Sequence, residues 1–94
     1  MLDEQQKVAL SKRLRRIEGQ IGGVRNMIAE DRYCVDILNQ TAAVTAALRT
    51  VENLIMENHL NTCLAEAMRS GDPNEQRKKT SEVMDIIAKY RKHG

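Results

Sequence analysis

Residues 33–70 read YCVDILNQTAAVTAALRTVENLIMENHLNTCLAEAMRS and contain neither glycine nor proline. Apolar or small side chains recur along this stretch at steps of three and four residues, which is the spacing of one face of an α-helix. The positions are Ile37, Thr41, Val44, Leu48, Val51 and Ile55. At 1.5 Å per residue, a helix over the whole stretch would span roughly 55–60 Å. The sequence therefore predicts a long central helix over about residues 32–70.

A second amphipathic pattern precedes the central one, over about residues 3–29. Its apolar positions also alternate in steps of four and three: Leu10, Leu14, Ile17, Ile21, Val24 and Ile28. Gly19, Gly22 and Gly23 each lower helix stability by roughly 1 kcal/mol. We expect them to allow close packing against a neighbouring helix, and the alternative is a flexible hinge. Asp31 follows this pattern and is of a residue type that caps helices, so we expect it to begin the central helix.

The segment SGDPNEQ, residues 70–76, marks the boundary to a third helix. Gly71 suits the position after a helix end, Asp72 suits the N-cap, and Pro73 suits the first helical position. Glu75 stands three residues past the cap, as in a capping box. The third helix is predicted over about residues 73–92.

Composition agrees with a helical protein. The chain has 94 residues, of which 30% are charged, with one proline and neither tryptophan nor phenylalanine. We therefore predict an all-α, three-helix subunit forming a single domain over residues 1–94, and we expect so short a chain to self-associate. No apolar run reaches the ~18 residues of a membrane span, and two cysteines without an export signal predict a cytoplasmic protein with no membrane partner.

The heptapeptide ENHLNTC, residues 57–63, places His59 and Cys63 four positions apart on one helix face, close enough to share a metal ion. The other cysteine, Cys34, would lie roughly 37 Å away along the same straight helix. The three can meet only between two chains whose central helices pair antiparallel about a two-fold axis near residues 47–48. Small side chains around that midpoint would allow close approach: Ala42, Ala43, Ala46 and Ala47.

Two thiolates and one imidazole form a soft set of ligands, which favours Cu(I). Structural Zn(II) usually has four protein ligands. Asp36, Glu57 or a water is available as a fourth, whereas His93, near the chain end, is a poor choice. The alternative is that a cysteine on an apolar helix face is only a small buried hydrophobe. We favour a metal site because the position of Cys34 agrees with the antiparallel geometry.

The run KRLRR, residues 12–16, makes the first helix locally basic. Lys12, Arg13 and Arg16 share a polar face, and a short run of this kind is usually a solvated helix face. Repeated by symmetry in an oligomer and extended by Arg49, it would instead form a surface that contacts phosphates. The sequence has no helix-turn-helix or zinc-finger pattern, so any DNA recognition would depend on phosphate contacts and DNA shape.

Three ordered segments now carry a resemblance. RLRRIEGQIGGVRNMI (13–28), YCVDILNQTAAVTAAL (33–48) and ENHLNTC (57–63) together resemble the copper-sensing repressor family, the CsoR-type bacterial regulators. The resemblance implies an all-helical subunit that dimerises and assembles as a dimer of dimers. It also implies a transcriptional repressor whose apo form binds operator DNA and whose inducer, Cu(I), releases that DNA and derepresses copper-resistance genes.

The same resemblance assigns roles to individual residues. It implies that Cys34, His59 and Cys63 bind Cu(I) across the dimer interface, and that Tyr33 and Glu82 couple the histidine to the third helix. It also favours a DNA-binding role for the basic surface of Lys12, Arg13, Arg16 and Arg49.

Other members of the family sense other inducers. Nickel and cobalt sensors add a histidine, often near the N-terminus, and MLDEQQ (1–6) has none. Persulfide sensors have a second cysteine where this chain has His59. A nickel-responsive or thiol-redox repressor remains the alternative within the family. Outside it, an enzyme using a Cys/His pair is disfavoured because the chain has no oxyanion-hole motif, and a helical assembly protein with inert cysteines stays as a further alternative.

Overall fold

The structure, a computed structural model, describes residues 2–91. Within that range the regular elements are helical: α1 (Glu4–Ala29), α2 (Cys34–His59), a π-helical segment (Leu60–Leu64), α3 (Ala65–Ser70) and α4 (Pro73–Arg91). The all-α fold class predicted from the sequence is confirmed. The predicted end of the third helix, at residue 92, lies outside the described residues.

The start of α1 is fixed by a reciprocal capping box. The side chain of Asp3 accepts a hydrogen bond from the Gln6 amide at 2.8 Å, and Gln6 Oε1 accepts one from the Asp3 amide at 2.9 Å. Two amides that the helix itself leaves without a carbonyl are thereby satisfied. The helix begins where the periodicity predicts.

The connection between α1 and α2 differs from the sequence prediction. Asp31 has a left-handed backbone with φ 54°, and the amides of Asp31 and Arg32 donate to the carbonyls of Ile28 and Met27 at 3.2 and 3.0 Å. These bonds form a Schellman motif, which ends a helix. The prediction that Asp31 begins the central helix is therefore wrong. The carbonyl of Tyr33 accepts the first helical amides instead, and α2 begins at Cys34.

The central helix also departs from a uniform α-helix. Helical structure continues from Cys34 to Ser70, but Leu60–Leu64 is π-helical. A π segment replaces i→i+4 bonds by i→i+5 bonds, so it accommodates an extra residue without ending the helix. Because a π segment needs neither glycine nor proline, no residue type in the sequence indicates its position.

The turn before α4 follows its predicted chemistry at three positions. Gly71 adopts the left-handed conformation, with φ 70°, and Pro73 is the first residue of α4. Asp72 Oδ1 accepts from the Asn74 amide at 2.9 Å, as an N-cap does. The predicted capping-box role of Glu75 is wrong, because the Asp72 amide donates to the Ser70 hydroxyl at 3.3 Å instead.

The chain divides into two compact units, Leu2–Ile55 and the residues from Met56 onward. In the first unit, α1 and the middle of α2 enclose an apolar core of Leu10, Ile17 and Val51, against which partly buried side chains pack. Other apolar positions of the two predicted faces stay exposed in the single chain: Leu14, Ile21, Ile28, Leu48 and Ile55. Packing within one chain therefore covers only part of each apolar face.

The helical glycines lie in open surroundings within the chain. A Cβ added at Gly19, Gly22 or Gly23 would meet no other atom within 4 Å beyond the local helix backbone. The close neighbour that these glycines predict is therefore not another helix of the same chain.

The second unit contains the end of α2, the π segment, α3 and α4. Both the π segment and α3 contact α4, and Ala67 of α3 is buried. This packing places the residues around position 60 beside the third predicted helix. Among residues 2–91, no helix combines the length and the apolar character that crossing a bilayer requires.

Candidate metal centre

His59 joins two elements of the second unit through its side chain. It is the last residue of α2, and its Nε2 lies 3.0 Å from Oε1 of Glu82 on α4. The His59 side chain is 21% exposed and that of Glu82 is 39% exposed. The structure therefore brings His59 and Glu82 into contact, which is the pair through which the resemblance implied coupling of the histidine to the third helix.

This contact determines which ring nitrogen of His59 can bind a metal. An ionised carboxylate only accepts hydrogen bonds, so we assign the proton to Nε2, which donates to Glu82. In the neutral ring Nδ1 then keeps its lone pair. A histidine ligand held by a carboxylate through its other nitrogen is a common arrangement at metal sites. His59 is thus oriented to offer Nδ1 as a ligand.

Cys63 lies within the π segment, and its thiol is partly buried. The neighbouring Thr62 hydroxyl lies 2.8 Å from the carbonyl oxygen of Asn58 and 3.8 Å from Cys63 Sγ. A hydroxyl has one proton to donate, and the shorter distance favours the carbonyl. Thr62 is a residue of this region that sequence reasoning missed, because no spacing pattern singled it out.

Lys79 is a second missed residue. Its Nζ lies 3.5 Å from Glu82 Oε2, on the oxygen that does not face His59. Lys79 and Cys63 also line one cavity of about 180 Å³, whose other lining residues are Glu66, Ala67, Ser70 and Glu75. The i, i+3 spacing of Lys79 and Glu82 could have identified this ion pair from the sequence.

The remaining predicted residues of the metal site lie in the first unit. Cys34 is exposed and carries a free thiol at the first position of α2, and Tyr33 beside it is 68% exposed. Within the described part of one chain, no three side chains of His, Cys, Asp or Glu are grouped to hold a metal ion. The predicted poor ligand His93 lies outside the described residues.

The predicted DNA-contacting residues are all exposed in the first unit. Lys12, Arg13 and Arg16 lie on α1, and Arg49 lies on α2. Their exposure is what contact with phosphates requires, and a solvated helix face requires it too. Their role in DNA binding stays a prediction.

Comparison with known proteins gives the chain its family. The family of metal-sensitive transcriptional repressors matches residues 6–89. The chain belongs to that family. Its members are metal-sensitive transcriptional repressors, so DNA binding and metal sensing are properties of the family, and the resemblance noted in the sequence is confirmed.

Individual members of the family are similar over nearly the whole chain. The copper-sensing transcriptional repressor CsoR of Bacillus subtilis strain 168 is 44% identical over 87 residues, which cover 93% of this chain and 83% of that protein. The crystal structure of the copper-sensing repressor CsoR with Cu(I) from Geobacillus thermodenitrificans NG80-2 matches with a TM-score of 0.86 and 40% identity. That match covers 97% of this chain and 92% of the other.

A family member with a different inducer has a similar structure too. The nickel-responsive transcriptional regulator InrS matches with a TM-score of 0.75 and 37% identity, covering 92% of this chain and 93% of its own. The fold alone therefore does not distinguish between inducers within the family. The metal-binding residues of each chain must distinguish between inducers.

Proposed function

We propose that this protein is a Cu(I)-responsive transcriptional repressor. Its apo form binds operator DNA, and binding of Cu(I) releases that DNA and derepresses copper-resistance genes. The observation that carries the proposal is the orientation of His59 by Glu82, which leaves Nδ1 as a ligand near the thiol-bearing π segment. The copper-sensing repressors among the relatives support the choice of metal.

The proposed site lies between subunits. Cys34 of one subunit and the partner subunit's His59 and Cys63 supply two thiolates and one imidazole, a soft set of ligands that suits Cu(I). Bound Cu(I) would link the two subunits through these ligands. The separation of Cys34 from the other two ligands along the sequence supports a shared site, since a two-fold dimer forms such sites in equivalent pairs.

The proposed assembly is an antiparallel helical-bundle dimer that pairs again as a dimer of dimers, with residues 1–94 acting as one domain. Apolar side chains that one chain leaves exposed support it, because large exposed apolar surfaces favour association: Leu14, Ile21, Ile28 and Leu48. The alanines near residues 47–48 support close approach of the two copies of α2.

The proposed DNA contacts are made by Lys12, Arg13, Arg16 and Arg49. We also propose that the protein is cytoplasmic and is not an enzyme. The exposure of all four residues and the run of three basic residues on α1 support binding through phosphates. Such binding is strongly salt-dependent because it releases counterions. We expect operator affinity to fall steeply between about 50 and 200 mM salt. A flat response would contradict a phosphate-dominated interface.

The proposed switch is a coupling between the metal site and α4. Because His59 contacts Glu82, a movement of the imidazole would be transmitted to α4. We assign Tyr33 a supporting role on the other side of the interface. Coupling between two ligands is reciprocal, so operator DNA must weaken Cu(I) binding by the same factor by which Cu(I) weakens DNA binding.

A titration tests the proposal. Reduced protein bound to operator DNA is titrated with Cu(I), while metal stoichiometry and DNA release are followed together. We expect release to be complete at about one ion per subunit, the ratio of a two-fold dimer with two equivalent sites. Cys63→Ser is the matched variant and should retain DNA binding without release. Equal operator affinity with and without Cu(I) would contradict the proposal.

The alternative is a repressor of the same family with a nickel or thiol-redox inducer. The similarity to nickel-responsive InrS favours the first, and the presence of two cysteines, Cys34 and Cys63, favours the second. Parallel titrations with Ni(II) and with a persulfide donor distinguish them. Release by either reagent at stoichiometric amounts, without release by Cu(I), would establish the alternative.

A further inference from the structure

The carboxylate of Glu82 is shared between two partners. Oε1 lies 3.0 Å from His59 Nε2, and Oε2 lies 3.5 Å from Lys79 Nζ. Lys79 and Glu82 are three positions apart on α4 and so lie on the same helix face. One side chain thus contacts the predicted metal ligand with one oxygen and a lysine with the other.

The contact with Lys79 limits how the carboxylate can turn. The terminal torsion of a glutamate is broad and roughly two-fold, so a single hydrogen bond leaves the carboxylate free to rotate. A cation at Oε2 favours the orientation in which Oε1 faces His59. The Lys79 side chain is 31% exposed, so water screens this effect without removing it.

Lys79 also borders the other predicted ligand of this unit. It lines the same cavity as Cys63, together with the carboxylate-bearing residues Glu66 and Glu75. Among the residues that line this cavity, Lys79 carries the one positive charge. Lys79 is therefore linked to His59 through Glu82 and lines the same cavity as Cys63.

We propose that Lys79 is a positioning residue of the sensing site, which holds Glu82 so that His59 keeps its proton on Nε2 and presents Nδ1. This inference rests on the proposed function of His59 as a ligand. Lys79 itself contacts neither metal nor DNA in this role. Its loss should leave both kinds of binding in place and weaken the coupling between them.

The variant Lys79→Met tests this by removing the charge and keeping the hydrocarbon stem. Two-bond ¹H–¹⁵N correlation spectra of the metal-free protein show which ring nitrogen of His59 carries the proton. We expect the Nε2–H form to dominate in the native protein, and the Nδ1–H admixture to rise about two- to fivefold in Lys79→Met, the size expected for a partly exposed ion pair. The factor by which Cu(I) weakens operator binding should fall by a similar amount.

Two further variants separate positioning from a change of net charge or of stability. Lys78→Met removes an exposed lysine next in sequence on the same helix and should leave both measurements unchanged. Lys79→Arg keeps a cation in reach of Glu82 and should restore native behaviour. Unchanged spectra and unchanged coupling in Lys79→Met, or equal changes in Lys78→Met, would overturn the inference.

The two measurements also separate this inference from the proposed function. The spectra need no copper, so they report on Lys79 even if the native protein does not release DNA with Cu(I). If release fails in the native protein while Lys79→Met alone still changes the His59 spectra, the proposed inducer is wrong and the positioning role stands. If Cu(I) releases DNA from the native protein but neither measurement changes in Lys79→Met, the proposed inducer stands and the positioning role of Lys79 is wrong.

Discussion

The two units of the chain are stabilised and used in different ways. In Leu2–Ile55 the interior is apolar, with Leu10, Ile17 and Val51 at its centre, and its charged residues face solvent. In the unit from Met56 onward, a polar contact between His59 and Glu82 joins positions 23 residues apart. Apolar packing has no directional requirement, so the first unit can leave an apolar face exposed for a partner. A hydrogen bond has a preferred geometry, so it can fix the orientation of a side chain such as that of His59.

This difference explains why the predicted ligands are divided between the units. Cys34 needs only to be exposed at the start of α2, and any partner can reach it there. His59 has to present one particular nitrogen, and among the predicted ligands it is the one that α4 contacts, through Glu82. The first unit thus offers a thiol and a basic surface, and the second unit offers the residues that can respond to a metal.

The largest expected effect tests whether the two units cooperate between chains. Cys34→Ser and Cys63→Ser should each abolish release of operator DNA by Cu(I). If the site is shared, subunit exchange between the two variants should restore about a quarter of the sites, because half of the dimers are then mixed and each mixed dimer has one intact site.

Cu(I) stoichiometry of the exchanged mixture measures this restoration. Each variant treated alone through the same exchange procedure is the control and should show none. A mixture as inactive as its components would mean that the three ligands belong to one chain, and the division of roles between subunits would have to be abandoned.

The next effect tests the apolar interior of the first unit. Ile17 is 4% exposed, and Ile17→Ala should lower the free energy of unfolding by about 2–5 kcal/mol through lost burial and the cavity left behind. Leu14→Ala, at a position 39% exposed in the single chain, is the matched comparison. Denaturant unfolding at several protein concentrations gives both values.

The difference between the two positions should depend on protein concentration if a second subunit covers Leu14. Its replacement should then cost more at protein concentrations where the dimer forms than in dilute solution, whereas the cost at Ile17 should persist in both. Equal, concentration-independent costs at the two positions would contradict the view that the exposed apolar face of this unit awaits a partner.

A smaller effect tests the oriented contact of the second unit. Glu82→Gln keeps the shape of the side chain but weakens its hydrogen bond to His59, since the acceptor loses its charge. We expect the factor by which Cu(I) weakens operator binding to fall about tenfold, the lower end of what residues supporting metal ligands contribute. Fluorescence anisotropy with labelled operator measures it.

Asp85→Asn provides the control, because it makes the same change of charge at an exposed position of α4. It should leave the response to Cu(I) as in the native protein. Equal losses in the two variants would assign the effect to the overall charge of α4 and remove the special role of the bond between His59 and Glu82.

The sequence was sufficient for the helices and insufficient for the details of their ends and turns. Periodicity predicts α1 and the central helix because burial of one face repeats along the chain, and Gly71 and Pro73 mark the last turn through their backbone preferences. Asp31 was misassigned because aspartate suits both a helix start and a left-handed position, and only backbone geometry separates the two.

The part of the site that could be predicted likewise depends on residue identity. His59 and Cys63 were found by their spacing, and Glu82 by resemblance, because both kinds of signal lie in residue identity. The π segment and Thr62 gave no signal, since a change from i→i+4 to i→i+5 bonding needs no special residue type. The separation of Cys34 from the other ligands predicts an antiparallel partner, and that arrangement stays a prediction.

The smallest expected effect concerns one glycine in each unit. Gly23 lies within α1 in open surroundings and Gly71 has φ 70°. Gly23→Ala should raise the free energy of unfolding by about 0.5–1 kcal/mol, because alanine loses less backbone freedom in a helix. Gly71→Ala should lower it by about 1–2 kcal/mol, the cost of a left-handed residue with a Cβ. Opposite signs are expected for a chain studied in dilute solution.

If a second subunit packs against Gly23, the methyl group added by Gly23→Ala contacts that subunit, and the gain in stability should turn into a loss as the protein concentration rises. The sign at Gly23, followed against concentration, therefore tells whether the open face of α1 is a solvent surface or an interface, while Gly71, whose cost comes from its own backbone angle, should not respond.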